Sequence, residues 1–273
     1  TCGANLNWEY ADGTLTITGS GPMTNFNAAG SQPWASVRGS IVQLVLPEDL
    51  TVIGDYAFAY CSKLRMVTIP SQVTRIGRNA FSECPALSRV TFAEGSKMQT
   101  IGLQAFFNCD ALASIQLPEG LVYIEKGAFN SCSKLSAIDI PASVLSVGEY
   151  AFTYCYDLSK VTLHNGTQTI GQSAFYDCRN LSSVTLPESL VSIGKSAFSS
   201  CTSLTSVVVP KNIKTIEPNT FRTCSSLTNI VLPDSLVTIG ESAFQGCGMS
   251  QIRIPDNVSV FGSYAFAGCE SLT

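Results

Sequence analysis

The side chains best able to do chemistry in this chain are very unequally supplied: eleven cysteines and a single histidine, His164. Ten of the cysteines (Cys61, Cys84, Cys109, Cys132, Cys155, Cys178, Cys201, Cys224, Cys247 and Cys269) recur every 23 residues, broken once by 25 and once by 22. Zinc needs about four converging ligands, and one cysteine per repeat without a CxxC pair does not supply them. A disulfide needs two side chains that face each other. Equivalent residues on stacked repeats point the same way, so the column reads as small, reduced, buried thiols, with disulfides between neighbours as the alternative. Cys2 stands outside the column. His164 sits beside Asn165-Gly166, a turn signal, and is expected in an exposed turn. Nucleophilic catalysis would require a nucleophile and an acid assembled around it, and the column cysteines belong to another part of the repeat. Gly19-Ser20-Gly21 follows a strand and precedes no amphipathic helix, so it lacks the context of a phosphate loop. The sequence therefore nominates no catalytic residue, no metal ligand and no cofactor.

What must position these residues is the repeat itself. Its fullest copy runs from Ile170 to Ser192: an aliphatic residue, Gly, two variable residues, Ala-Phe, two more, Cys, then Leu, Val and Leu before Pro. Copies begin at Ile53, Ile76, Ile101, Ile124, Val147, Ile170, Ile193, Ile216, Ile239 and Phe261. So short a unit cannot bury its own apolar face, and the copies must stack into a solenoid. Around Val184-Thr185-Leu186 aliphatic residues alternate with polar ones, which predicts a strand pairing in parallel with its neighbours, and Pro then ends it. Gly at the second motif position is replaced by Glu125 and Glu217, so close packing rather than positive φ explains the preference. Ala-Phe is predicted to form a short helical turn whose invariant Phe stacks from copy to copy.

The expected architecture is an α/β solenoid: a right-handed superhelix with a parallel sheet on its concave face and short helical turns on its convex face. Residues 1–40 are expected to form an N-terminal β-hairpin cap around an Asp12-Gly13 turn, with Phe26 and Trp34 plugging the first coil. Residues 41–273 are the solenoid of about ten coils, the last incomplete because the chain stops at Thr273 within a copy. That interruption reads as a fragment of a longer protein, and the uncapped last coil leaves room for end-to-end contact.

The IGxxAFxxCxxLxxVxLP pattern over residues 41–273 resembles the BspA-type leucine-rich repeat of bacterial surface proteins. Cys2 to Trp8, Asp12 to Gly19 and Pro33-Trp34 are similar to that family's amino-terminal region. The resemblance implies a secreted or cell-surface, non-catalytic module for recognition or adhesion, binding a protein or glycan on host or neighbouring cells. A passive rigid spacer presenting another domain is the alternative. Composition agrees with this. Charged residues are 13%, the net charge is −4 and the Lys and Arg are scattered singly, which excludes a nucleic-acid surface. No apolar run approaches the ~20 residues of a membrane helix, and with Thr1 rather than Met at the start any signal peptide has been removed or was never included, a trimmed start that suggests export.

Binding residues are therefore sought on the repeated surface. Tyr150 and Tyr154 flank Ala-Phe in one copy, with Tyr156 and Tyr176 at nearby variable positions, and the four are expected to form one patch across two coils. Tyrosine joins apolar area to a polar tip at little entropic cost. On the concave strands the outward residues are mostly Thr and Val; Asp139 and Lys160 are the opposite-charge pair expected near the middle.

Overall fold

The computed structural model describes residues 1–273 as one continuous stack. It opens with an antiparallel hairpin of β1 (Leu6–Ala11) and β2 (Thr14–Gly19). Asp12 and Gly13 both have positive φ, the backbone a two-residue hairpin turn demands. The outer edge of β2 pairs in parallel with Gln43–Val45, so the hairpin supplies the first rung of the stack.

Most coils then contribute two short strands, one to each of two parallel rows, and strand pairing is interrupted at places along both. The first ladder runs through Met66–Ile69, Arg89–Phe92, Ala137–Ile140, Lys160–Leu163 and their equivalents. Its register is that of the repeat, with Val67 opposite Val90 and Ile138 opposite Val161. The second is built from two-residue strands that end on the aliphatic residue opening each motif, such as Arg75–Ile76, Thr100–Ile101 and Thr169–Ile170. Sequence reading anticipates only the first, because two residues are too few to show alternation.

The predicted helical turns are absent. The Ala-Phe segment is a chain of hydrogen-bonded turns, and the one helical element is a 3-10 turn at Arg38–Ser40. The cause lies in the backbone. The residue two before Phe and the residue before Cys have positive φ in every coil, as at Tyr150 (57°) and Tyr154 (61°), which interrupts any right-handed helix. For a residue other than glycine this conformation costs about 1–2 kcal/mol. The return is a cross-coil bond: in every coil but the last, three alternate N–H groups donate to carbonyls of the next, as Tyr150 to Gln172, Phe152 to Ala174 and Tyr154 to Tyr176.

Inside, the motif Phe residues form one column from Phe58 to Phe266, ring centroids 5.2–5.7 Å apart and rings nearly parallel. Trp34 stacks on Phe58 at 5.6 Å and continues the column into the cap, while Phe26 and Trp8 close over Trp34 edge-on. The Trp34 indole N–H also donates to the Ala57 carbonyl at 2.9 Å, the bond that a preceding coil's Phe amide would have made. At the second motif position, a Cβ added to Gly171 would lie 2.5 Å from the Glu149 nitrogen, which is the close packing expected there.

Candidate functional site

The reactive residues are positioned by the coil and hidden by it. All eleven cysteines are free and buried. From Cys84 onward each column thiol donates to the Phe carbonyl of the preceding coil, Sγ to O being 3.1–3.3 Å. Sequence reading treated these residues as small apolar fillers and missed the bond, since nothing in the spacing distinguishes a donor from a methyl group. Seven of these nine Phe carbonyls already accept the Cys N–H of their own coil and gain the thiol as a second partner. Burial pushes the Cys61 and Cys247 thiols up to about 12 and the others from Cys84 to Cys224 well above the ordinary thiol range. A thiol so disfavoured as thiolate is a poor nucleophile.

The turn face carries the tyrosines. Tyr154 lies 6.0 Å from Tyr156 and 5.8 Å from Tyr176, the latter edge-on. The Arg179 guanidinium stacks over Tyr156 at 5.0 Å and is held by two hydrogen bonds to Asp177, at 3.0 and 2.9 Å. That carboxylate raises Arg179 above its ordinary value, and burial of the hydroxyl, then the neighbouring Tyr176 and Asp177, raises Tyr154. Tyr154 and Tyr156 remain exposed and Tyr176 is half-buried. Tyr150 is not part of this group. Its hydroxyl accepts from Gln172, and Lys126 sits over its ring at 5.2 Å, itself bonded to Glu149. The patch thus consists of three tyrosines and an arginine, with Tyr150 in a second, smaller cluster.

On the strand face the expected Asp139–Lys160 pair does not form. Register places Lys160 opposite Ala137 and Asp139 opposite Thr162. Asp139 instead meets His164, Oδ1 to Nε2 being 2.7 Å, because the coil of His164 replaces the usual Pro with a side chain long enough to reach back. Both partners are exposed. Beside them lies a hollow of about 210 Å3 between Gln116, Glu119 and His164.

Two larger hollows sit farther along the same edge. The 25-residue copy spends its extra length on Ala93–Lys97, whose Gly95 has positive φ. Lys97 is bonded to Gln72 of the coil before. The loop stands between a hollow of about 560 Å3 reaching Val45 and Met66 and one of about 630 Å3 reaching Arg89 and Gln116. The irregular spacing was the sequence signal for this feature; its effect on the surface was not legible.

The arrangement offers shape, aromatic area and hydrogen-bonding groups on a rigid scaffold. No helix is long and apolar enough to cross a membrane. The model of the BspA type leucine rich repeat region matches residues 36–159 and 146–273. A leucine rich cell surface protein from Faecalibacterium prausnitzii A2-165 is similar in structure, with 26% identity and a TM-score of 0.58, over 99% of this chain and 86% of that one. The leucine rich repeat protein of T. pallidum is 29% identical with a TM-score of 0.58, over 75% of this chain and 90% of that one. Among curated proteins none matches the chain in sequence. The family match spans residues 36–273, and its repeating unit is the coil described above: the chain belongs to the BspA-type leucine-rich repeat family.

Proposed function

We propose that this chain is an extracellular, non-catalytic recognition module that binds a protein partner on another cell or in a matrix through its turn face. The observation carrying this reading is the meeting of Tyr154, Tyr156 and Tyr176 with Arg179 on adjacent coils. Tyr and Arg are the residues most enriched where binding energy concentrates, and here both are held in place before a partner arrives. The likeness to a leucine rich cell surface protein supports the location. The cap, residues 1–40, and the solenoid, residues 41–273, act in this reading as one rigid presenting unit.

The test is a binding screen of the purified chain against extracellular-matrix proteins and glycans, followed by substitution. Tyr154→Ser with Tyr156→Ser should weaken the interaction more than tenfold, about 1.4 kcal/mol, with little loss of stability. Serine occupies the Tyr154 position in the preceding coil, at Ser131, and two coils on, at Ser200, with the same positive φ, so the backbone tolerates it. Unchanged affinity in that variant, together with loss on Asp139→Ala or Lys160→Ala, would move the site to the strand face.

A further inference from the structure

The lengthened copy, with its loop at Ala93–Lys97, disturbs the first ladder. Arg89–Phe92 pairs with the following coil over two residues only, Arg89 opposite Ser114 and Val90 opposite Ile115, and the chains then part. The preceding pair, Met66–Ile69 with Arg89–Phe92, holds register over four. Beyond the parting the Phe92 and Gln116 amides have no backbone acceptor, although Val209, which stands at the place of Phe92 in a later coil, donates to Val231. The gap opens into the hollow of about 630 Å3. Phe92 is the one aromatic at a motif position that holds Ile, Leu or Val in every other copy, and it is half-buried where Ile69 and Ile140 are buried. Arg89, Ser96, Ser114, Gln116 and Glu119 stand around it. Neither Arg89 nor Glu119 is engaged in an ion pair, unlike Lys126 with Glu149 or Arg179 with Asp177.

We infer that this hollow is a binding site for a short acidic saccharide, one or two sugar rings with a single carboxylate, separate from the tyrosines of the turn face. Its volume lies within the ~300–1,000 Å3 of small-molecule sites. Sugar hydroxyls donate and accept at once, which suits a lining that offers unpaired amides beside the Glu119 carboxylate. The electron-rich face of a phenyl ring attracts the C–H groups of a pyranose, a contact that Ile or Leu at the Phe92 position would not supply. Arg89 provides the planar fork that a carboxylate accepts from, while Glu119 repels a second acid, so one negative charge is the match. A wholly apolar ligand does not fit, because it would desolvate the amides and both charges without partnering them. Gln116 and Glu119 also line the smaller hollow that reaches His164, which gives a longer glycan a path along the same edge.

Amide NMR of the isotope-labelled chain tests this, with three probes: the disaccharide of glucuronic acid and N-acetylglucosamine, the neutral disaccharide of N-acetylglucosamine alone, and the dipeptide Gly-Gly. The acidic disaccharide should shift the Phe92 and Gln116 amide resonances, leave that of Val209 in place, and bind about fivefold or more tighter than the neutral one. Arg89→Gln should weaken the acidic disaccharide about tenfold or more and change the neutral one by less than about twofold. Deleting Gly95 and Ser96 returns the copy to the common length and should abolish binding, with a thermal melt to show that the chain folds. If it does not fold, Phe92→Leu, which restores the residue type of the other copies, takes its place and should weaken both sugars about fivefold. Tyr154→Ser with Tyr156→Ser should leave saccharide binding unchanged, so this site and the turn face fail or stand separately. Absence of shifts at Phe92 and Gln116 with either sugar, or tighter binding of the neutral disaccharide or of Gly-Gly, would overturn the inference. So would affinity that survives Arg89→Gln together with the deletion or its substitute.

Discussion

Raising the pH from 8 to 10 should unfold this protein cooperatively under reducing conditions, and the column of thiols sets the size of the effect. In the unfolded chain each thiol titrates near 9, whereas in the fold nine column thiols are held well above that by burial. A raised folded-state value means that the stabilisation is fully present below the unfolded value. It is lost as pH rises above 9, because the unfolded chain releases protons that the folded one retains. At pH 10 each thiol favours unfolding by about 1.4 kcal/mol, and nine together by roughly 12 kcal/mol relative to pH 8. That equals the whole stability of an ordinary domain, ~5–15 kcal/mol. The assay is urea unfolding followed by circular dichroism at half-unit steps of pH, in a phosphine reductant. Cys178→Ala with Cys201→Ala should reduce the pH-dependent loss by roughly a fifth, which separates the thiols from surface Lys and Tyr groups. A loss below about 3 kcal/mol between pH 8 and 10, or thiolate absorbance rising before ellipticity falls, would refute the reasoning.

Other perturbations probe other columns. Phe175→Ala should cost about 3–5 kcal/mol, since neighbouring rings on both sides prevent the gap from closing; chemical unfolding measures it. Trp34→Phe keeps the stacking but strands the Ala57 carbonyl, and a loss of about 1–3 kcal/mol with faster proteolysis of the cap is expected. Gly166→Ala should destabilise by more than about 2 kcal/mol, because a Cβ there would lie 1.8 Å from the Ala142 oxygen at a φ of +138°; a thermal melt unchanged within error would contradict this.

The repeat made much of this fold legible. Identical spacing of Phe and Cys announces stacking whatever the local conformation, and the alternation in segments such as Met66–Ile69 identifies one ladder. The helical turn was misjudged because Ala-Phe favours helix locally, whereas the left-handed residues beside it are Tyr, Asn, Glu or Ser as readily as Gly. In nine of the ten coils their amides donate to the next coil, a pairing that no single copy reveals. The same holds for the candidate site. Proximity of Tyr154 to Tyr176 follows from register, but the separation of Tyr150 depends on Gln172 and Lys126, whose side chains claim its ring and hydroxyl. The Asp139 pairing turned on His164, a substitution that sequence reading noted only as an exposed turn residue.

The left-handed positions also bear on how such a surface diversifies. In nine of the ten coils both such residues donate through the main chain to the next coil, whatever side chain stands there. Across the stack those sites hold Tyr, Asn, Glu, Gln, Ser, Asp, Thr and Gly. A coil can exchange one for another, or be duplicated whole with its lettering altered, while the Phe and Cys columns beneath stay in register. The turn face is in this sense a line of type set in a permanent frame, and mutation can rewrite it one character at a time without disturbing the fold.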